Sequence, residues 1–350
     1  MRSTLYYWLG HWSLHLSGAL VLFVIGACAS DFESNNIEVL NLSNIVLQES
    51  QERSWLELEF QESLRLPVEF ADSLTFFSPG AVRSDSYGNV YVVDFGIPAI
   101  HGFDSTGHYI ATYGQGAGRG PGELMTIIDM GVKGDSVVYV ADNHARKISY
   151  FSLNGEFLRS EPVGFAPARF RIASNGRSYT MVGTGEEYLF ESKRGRDLIT
   201  FGAVTGGPIG SENSVALGMI ATFKDKLIYA PTDFPVVILY EPDGTIKYAR
   251  GTPDWGKVEI PEWESIDLPG GGVGYRTTGQ SIHGEVSVDE DKAYVIVNMA
   301  SGEAVDVYDV STGDYEHSFQ LPTQIRTSFL LNSRIYGIEA DTTAVVYSME

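Results

Sequence analysis

Between residues 126 and 160 the chain alternates apolar and polar positions with a period of two and breaks at short Gly-bearing turns. This is the pattern of successive β-strands, not of helices. It predicts strand a over 126–132, b over 137–142, c over 147–152 and d over 156–160, with Lys133-Gly134-Asp135 and Leu153-Asn154-Gly155 as turns. Within strand b, Val138 and Val140 fall on one face and Tyr139 and Ala141 on the other. Both faces are apolar, so both are expected to be covered by neighbours.

The same spacing occurs one unit earlier. Tyr91 and Tyr139 each precede an Asp by 3 residues (Asp94, Asp142), a Phe by 12 (Phe103, Phe151) and a Gly by 16 (Gly107, Gly155), giving a period of 48. Weaker copies centre on Tyr179, Tyr229, Tyr294 and Tyr336, so that successive tyrosines lie 48, 40, 50, 65 and 42 residues apart. Periods of this size with several strands per unit signify a propeller, here of six units. The last unit reaches only a third strand near Tyr347, and 64–70 (Leu64 to Phe70) is the candidate fourth strand that closes the ring and leaves no open sheet edge.

The Tyr-Val-x-Asp segment, a variable loop and a β-rich stretch ending in Phe-x-x-x-Gly resemble the NHL repeat, best over 79–160. The run Gly114-Gln115-Gly116-Ala117-Gly118-Arg119-Gly120-Pro121-Gly122-Glu123-Leu124 resembles the loop signature of bacterial six-bladed propeller lipoproteins. Together the resemblance covers about 65–350 and implies an all-β fold, a six-bladed propeller of four-stranded antiparallel blades. Later units depart from the repeat: no Asp follows Tyr179, Tyr229 or Tyr294 by three residues.

Ahead of the repeats, Arg2 is followed by the apolar run Leu16 to Ile25 and then Gly26-Ala27-Cys28. That is a signal-peptide pattern. Ile25-Gly26-Ala27-Cys28 also resembles the lipobox of bacterial lipoproteins, which implies lipidation at Cys28, an envelope location and, with Ala29 next, outer-membrane sorting. An uncleaved anchor and plain cleavage after Ala29 are the alternatives. The expected organisation is a leader over 1–27, a polar tether over 28–57 and the propeller over 58–350, with an insertion at 251–280 between blades 4 and 5.

Composition changes the picture in two respects. Lys plus Arg number 24 against 45 Asp plus Glu, a net charge of −21, so a phosphate backbone is repelled and nucleic acid is excluded as a partner. Cys28 is the one cysteine, so no intramolecular disulfide can form.

Four-stranded blades put short a–b and c–d turns on one side and the longer b–c and d–a loops on the other, where binding groups on a rigid scaffold usually gather. Candidates on that loop face are Arg119 and Glu123 of the Gly-rich run, Asp94 and Asp142 ending strand b, Asn143, His144 and Arg146 in the loop that follows, and Trp255 and Trp263 of the insertion. Asp94 and Asp142 have a second reading, as caps on their own loops. His101, His144 and His283 form a weak candidate metal set, since none stands in ligand spacing.

Two functions follow. One is an envelope-anchored, non-catalytic binding or scaffold propeller that recognises a protein, peptide or glycan, holds the membrane through its lipid and needs no cofactor. The other is a metal-dependent lyase or lactonase similar to the streptogramin-lyase and gluconolactonase groups, with a divalent metal and Glu123, His283 and Glu285 as candidate groups.

Overall fold

Each blade is packed around the aromatic ring of its second strand. Tyr91, Tyr139, Tyr179, Tyr229 and Tyr336 are buried, and Tyr294 is half-buried. The rings stack edge-on within and between blades: Tyr139 lies 5.3 Å from Phe170, and Phe190 lies 5.1 Å from Tyr229. A ring filling the gap between two pleated sheets buries far more apolar area than an aliphatic side chain and fixes their spacing.

The computed structural model describes residues 37–66, 69–70, 74–183, 187–203, 216–259, 263–267, 273–277, 280–322, 325–340 and 342–350. It is an all-β, six-bladed propeller of four-stranded antiparallel blades. The inner strands a are Pro79–Ser84, Ile127–Lys133, Pro167–Ile172, Gly218–Phe223, His283–Asp289 and Ile325–Leu331. They stand side by side in that order around a central channel, the last returning to the first. In blade 2 the strands fall at Ile127–Lys133, Val137–Asp142, Lys147–Ser152 and Phe157–Pro162, close to their expected places. Two extra hairpins lie outside the blades, Glu69–Phe70 with Leu74–Thr75 and Trp263–Asp267 with Val273–Thr277.

The ring closes through the N-terminal part of the chain. Phe60–Arg65 pairs antiparallel with Thr343–Met349 as the fourth strand of blade 6, from Phe60↔Met349 to Arg65↔Val345. The closing strand therefore begins four residues earlier than the 64–70 segment expected.

Residues 37–57 do not form the free polar tether expected of them. Ile37, Leu40, Leu42 and Ile45 are buried in one cluster with Tyr229, Val236 and Trp255 of the fourth blade and the loop after it. The segment then runs along the outer strands of blades 4 and 5. The Val46 N–H donates to Ala249 O at 3.0 Å, and the Leu56 N–H donates to Ser318 O at 2.7 Å. Between these points Arg53 grips Asp254 (Nη1 to Oδ1, 2.8 Å) and Asp306 (Nε to Oδ1, 2.8 Å). Glu49, Ser50 and Glu52 face outward, while Ile37, Leu40, Leu42, Ile45, Gln48 and Arg53 carry the docking.

One irregularity recurs on the inner strands. Where strand a meets strand b the register slips between Pro79 and Ala81, Ile127 and Asp129, Pro167 and Arg169, and His283 and Glu285. A bulge adds one residue and re-aims the side chain after it. In blades 1, 2, 3 and 5 it sets Ala81, Asp129, Arg169 and Glu285 at one level of the channel wall. Blade 4 has no bulge, and Met219 takes the corresponding place.

Candidate functional site

Strand a places charged side chains in the channel at two levels. Asp129 and Glu285 follow their bulges directly, and Arg83 and Arg171 stand two residues beyond the first level, on the same face of their strands. The four form a closed circuit. Arg83 Nη2 donates to Glu285 Oε2 at 2.6 Å and lies 3.8 Å from Asp129 Oδ1. Arg171 Nη1 donates to Asp129 Oδ2, and its Nη2 lies 3.8 Å from Glu285 Oε1.

Remaining valences are met locally. The Phe170 N–H donates to Asp129 Oδ2 at 2.9 Å, and Arg83 lies over the Phe329 ring, 5.2 Å from its centroid. Burial pushes the Asp129 carboxyl up, but Arg171 and Arg83 outweigh it and hold the group below the usual carboxylate range. A buried pair balanced in this way is costly to break from one side only.

The quartet stands between two cavities. On the loop face a cavity of about 140 Å³ is lined by Arg169, Met219, Phe95, Val93 and Ile127 above the quartet, which forms a plug across the channel. On the turn face one of about 230 Å³ is lined by Tyr139, Ser287, Ala221 and Phe329. Gly131 is required on that side, since a Cβ there would lie 2.3 Å from the Tyr139 hydroxyl oxygen. The loop-face cavity is smaller than the roughly 300–1,000 Å³ typical of small-molecule pockets. It fits a group the size of a side chain.

Asp94 and Asp142 are not at the channel. Both are wholly buried. Asp94 accepts from the N–H groups of Phe77 (2.7 Å), Ser78 (2.9 Å) and Gly96 (2.9 Å). Asp142 accepts from Met125 (2.7 Å), Thr126 (3.1 Å) and Ala145 (2.9 Å). Each carboxylate ties the segment leading into strand a of its own blade to the loop after strand b, and so is spent on backbone donors.

The Gly-rich run folds on itself. Glu123 Oε2 accepts the Gly120 N–H at 2.7 Å, and Lys147 Nζ donates to the carbonyls of Gly120 (3.0 Å) and Arg119 (3.3 Å). Gly118 permits this, because a Cβ there would lie 2.1 Å from Glu123 Oε2. The Arg119 side chain is exposed and leans on Met125, so neither Arg119 nor Glu123 lines the cavity. Asn143 donates to Pro167 O at 2.8 Å, and His144 and Arg146 are exposed beside it. Trp255 is buried with the strap and is not an exposed platform. Trp263 begins a strand of the insertion hairpin.

The three histidines do not converge. His101 is buried on strand c of blade 1 with Nδ1 2.9 Å from Thr112 Oγ1, His283 is buried with Nδ1 donating to Pro231 O at 2.6 Å, and His144 is exposed. Among the described residues no three His, Cys, Asp or Glu side chains are grouped to hold a metal ion. Cys28 and the lipobox-like run before it lie outside the described residues. No helix among the described residues is long and apolar enough to cross a membrane.

Of the channel residues, sequence reasoning named only Glu285. The signal for the others was present: ten residues before the tyrosine of each second strand stand Ala81, Asp129, Arg169 and Met219 in blades 1 to 4. A charge inside an otherwise apolar inner strand is the mark of a channel-facing position.

The DUF5128 family, described as a 6-bladed beta-propeller, matches residues 28–197. Among solved structures, a candidate exported protein from Bacteroides fragilis NCTC 9343 superposes with a TM-score of 0.55 at 11% identity, over 87% of this chain and 98% of its own. A member of the duf4221 family from Bacteroides vulgatus gives 0.53 at 11% identity, over 84% and 98%. Virginiamycin B lyase from Staphylococcus aureus gives 0.51 at 11% identity, over 83% and 99%. At such identity these likenesses concern the fold alone. No curated protein matches the chain.

Proposed function

We propose that this propeller is a non-catalytic binding or scaffold module of the bacterial cell envelope, recognising a protein, peptide or glycan through the face built from its b–c and d–a loops. The observation that carries the reading is the channel plug. A lyase or lactonase working in a propeller channel needs a carboxylate or imidazole at liberty to move a proton. Here Asp129 and Glu285 are each held by guanidinium groups, and His283 is tied to a backbone carbonyl. The loop face, by contrast, carries exposed apolar groups: Phe77 is 69% and Phe95 53% exposed.

The test is binding of purified protein to peptide and glycan arrays, compared with a Phe77→Ser/Phe95→Ser double variant. At least one ligand class is expected to bind and to lose tenfold or more in the variant, at an unchanged unfolding midpoint. Turnover of a lactone panel with added divalent metal, abolished by Glu285→Gln and without any array binding, would favour the enzyme instead.

The address rests on the lipobox-like run ending at Cys28. Mass spectrometry of the mature N-terminus is expected to show a lipid on Cys28. An unmodified Cys28 in the membrane fraction overturns it.

A further inference from the structure

We infer that the loop-face cavity is a receptor for one carboxylate on a short apolar stem, with Arg169 as its anchor. The inference deepens the binding reading above and rests on it. Charge is the first argument. Three guanidiniums, Arg83, Arg169 and Arg171, share the channel with two carboxylates, Asp129 and Glu285. Arg83 and Arg171 are each paired with both carboxylates. Arg169 has no carboxylate within ion-pair distance among the described residues. Its Nη1 donates to its neighbour's carbonyl, Ala168 O, at 2.7 Å and its Nε to Met219 Sδ at 3.3 Å.

A chain of net charge −21 thus keeps at the mouth of its channel a third guanidinium that makes no ion pair among the described residues and acts on Asp129 only at longer range. Arginine presents five N–H donors in a planar fork, and these two bonds leave donors on Nη1 and Nη2 for a bidentate carboxylate. The bulge at Pro167/Arg169 aims the side chain into this space, so its position is built by the fold and is not a chance of a mobile surface.

The lining is the second argument. Apart from the charged groups, Phe95, Val93, Ile127 and Met219 make the wall apolar. Such a wall repels a bare inorganic anion's hydration shell but favours a few carbons attached to the charge. Gly80 belongs to the same design: a Cβ there would lie 2.3 Å from the Phe95 ring, so the glycine lets that ring lie over the inner strand at the cavity rim. The volume of about 140 Å³ admits a short acid or a single acidic side chain and excludes a larger body. The carboxylate can come from a free short-chain acid or from a peptide, by a Glu side chain or a C-terminus.

Isothermal titration of the full chain separates these cases. The probes are butyrate and isovalerate, with butyramide and butylamine as controls, and two peptides of one sequence, one bearing an internal Glu with an amidated end and one a free carboxyl terminus without Glu. At least one carboxylate probe is expected to bind while butyramide and butylamine do not. Arg169→Met is expected to weaken that binding at least tenfold, and Arg169→Lys, which keeps the charge but loses the fork, by less.

Binding by the free acids assigns a small-molecule source, and binding confined to one peptide assigns that peptide group. Failure of every carboxylate to bind wild type overturns the inference, as does equal binding by a folded Arg169→Met. Array ligands that survive in Arg169→Met while no carboxylate binds wild type would refute the anchor and leave the binding module standing.

Discussion

A buried charge is tolerable only when its partners are arranged before it leaves water. Asp142 meets that condition with three backbone N–H groups. Asp142→Ala leaves all three donors without their acceptor and is expected to cost about 3 kcal/mol, with Asp142→Asn costing less because one carboxyl-like oxygen remains. Urea unfolding measures both, and a midpoint unchanged in the alanine variant would refute the capping role.

The buried imidazoles add a pH dependence of definite sign. Burial lowers the His101 and His283 pKa below the ordinary 6.5, outweighing the raising influence of Asp94 on the one and of the Pro231 carbonyl on the other. The unfolded chain therefore binds protons more readily than the folded one. Their contribution is fully present above about pH 6.5 and is lost as pH falls below it toward the folded values. Asp129, also lowered, adds a second loss starting near its ordinary 3.8. The unfolding midpoint is expected to change little from pH 8 to 6.5 and to fall by pH 5, and His283→Gln to flatten that fall.

At the scale of an element, the strap over residues 37–57 works as an edge cover. The outer strands of blades 4 and 5 would otherwise expose unpaired N–H and C=O groups along their length. The strap pairs with both in parallel, at Val46↔Arg250 and Trp55↔Ser318. Arg53 is the pin. Its removal leaves Asp306, fully buried, with Ser318 Oγ (2.6 Å) and the Tyr308 hydroxyl (3.4 Å) but no cation. Arg53→Met is therefore expected to destabilise by roughly 3–5 kcal/mol. Combining it with Asp254→Asn and Asp306→Asn should recover part of that loss. A single variant within about 1 kcal/mol of wild type would show the pin to be idle, since exposed pairs are worth no more.

Over the whole molecule, the ring holds because its first and last strands belong to one sheet. Phe60–Arg65 fills the place on blade 6 that the chain's last strand leaves open. Blades contact mainly their neighbours, and an open ring would unfold from its free blade. Deleting 58–66 is expected to replace one sharp thermal transition with a broad or split one, read by circular dichroism. A single transition at the wild-type temperature would count against closure. The plug acts at the same scale, because its four residues come from blades 1, 2, 3 and 5 and tie the inner strands across the channel. Breaking it from one side, as in Arg171→Met, leaves Asp129 short of a partner and should lower the midpoint of the whole domain instead of loosening one blade.

By itself the sequence determined the strands, the number of blades and the use of an N-terminal strand for closure. These follow from local periodicity, from a tyrosine repeated at one place per unit and from a simple count of strands. The capping reading of Asp94 and Asp142 was open to it for the same reason, since their donors lie within 17 residues.

What only the tertiary structure decided is which residues share the channel. Arg83 and Glu285 are 202 residues apart and meet because ring closure leaves only blade 6 between blades 1 and 5. Four bulges, invisible to a two-residue period, chose Ala81, Asp129, Arg169 and Glu285 over their neighbours to face inward. The strap was misread because a polar composition describes its solvent side, while Ile37, Leu40, Leu42, Ile45 and Arg53 carry the docking. Arg169 became a candidate anchor only once the plug was seen to satisfy the other two arginines.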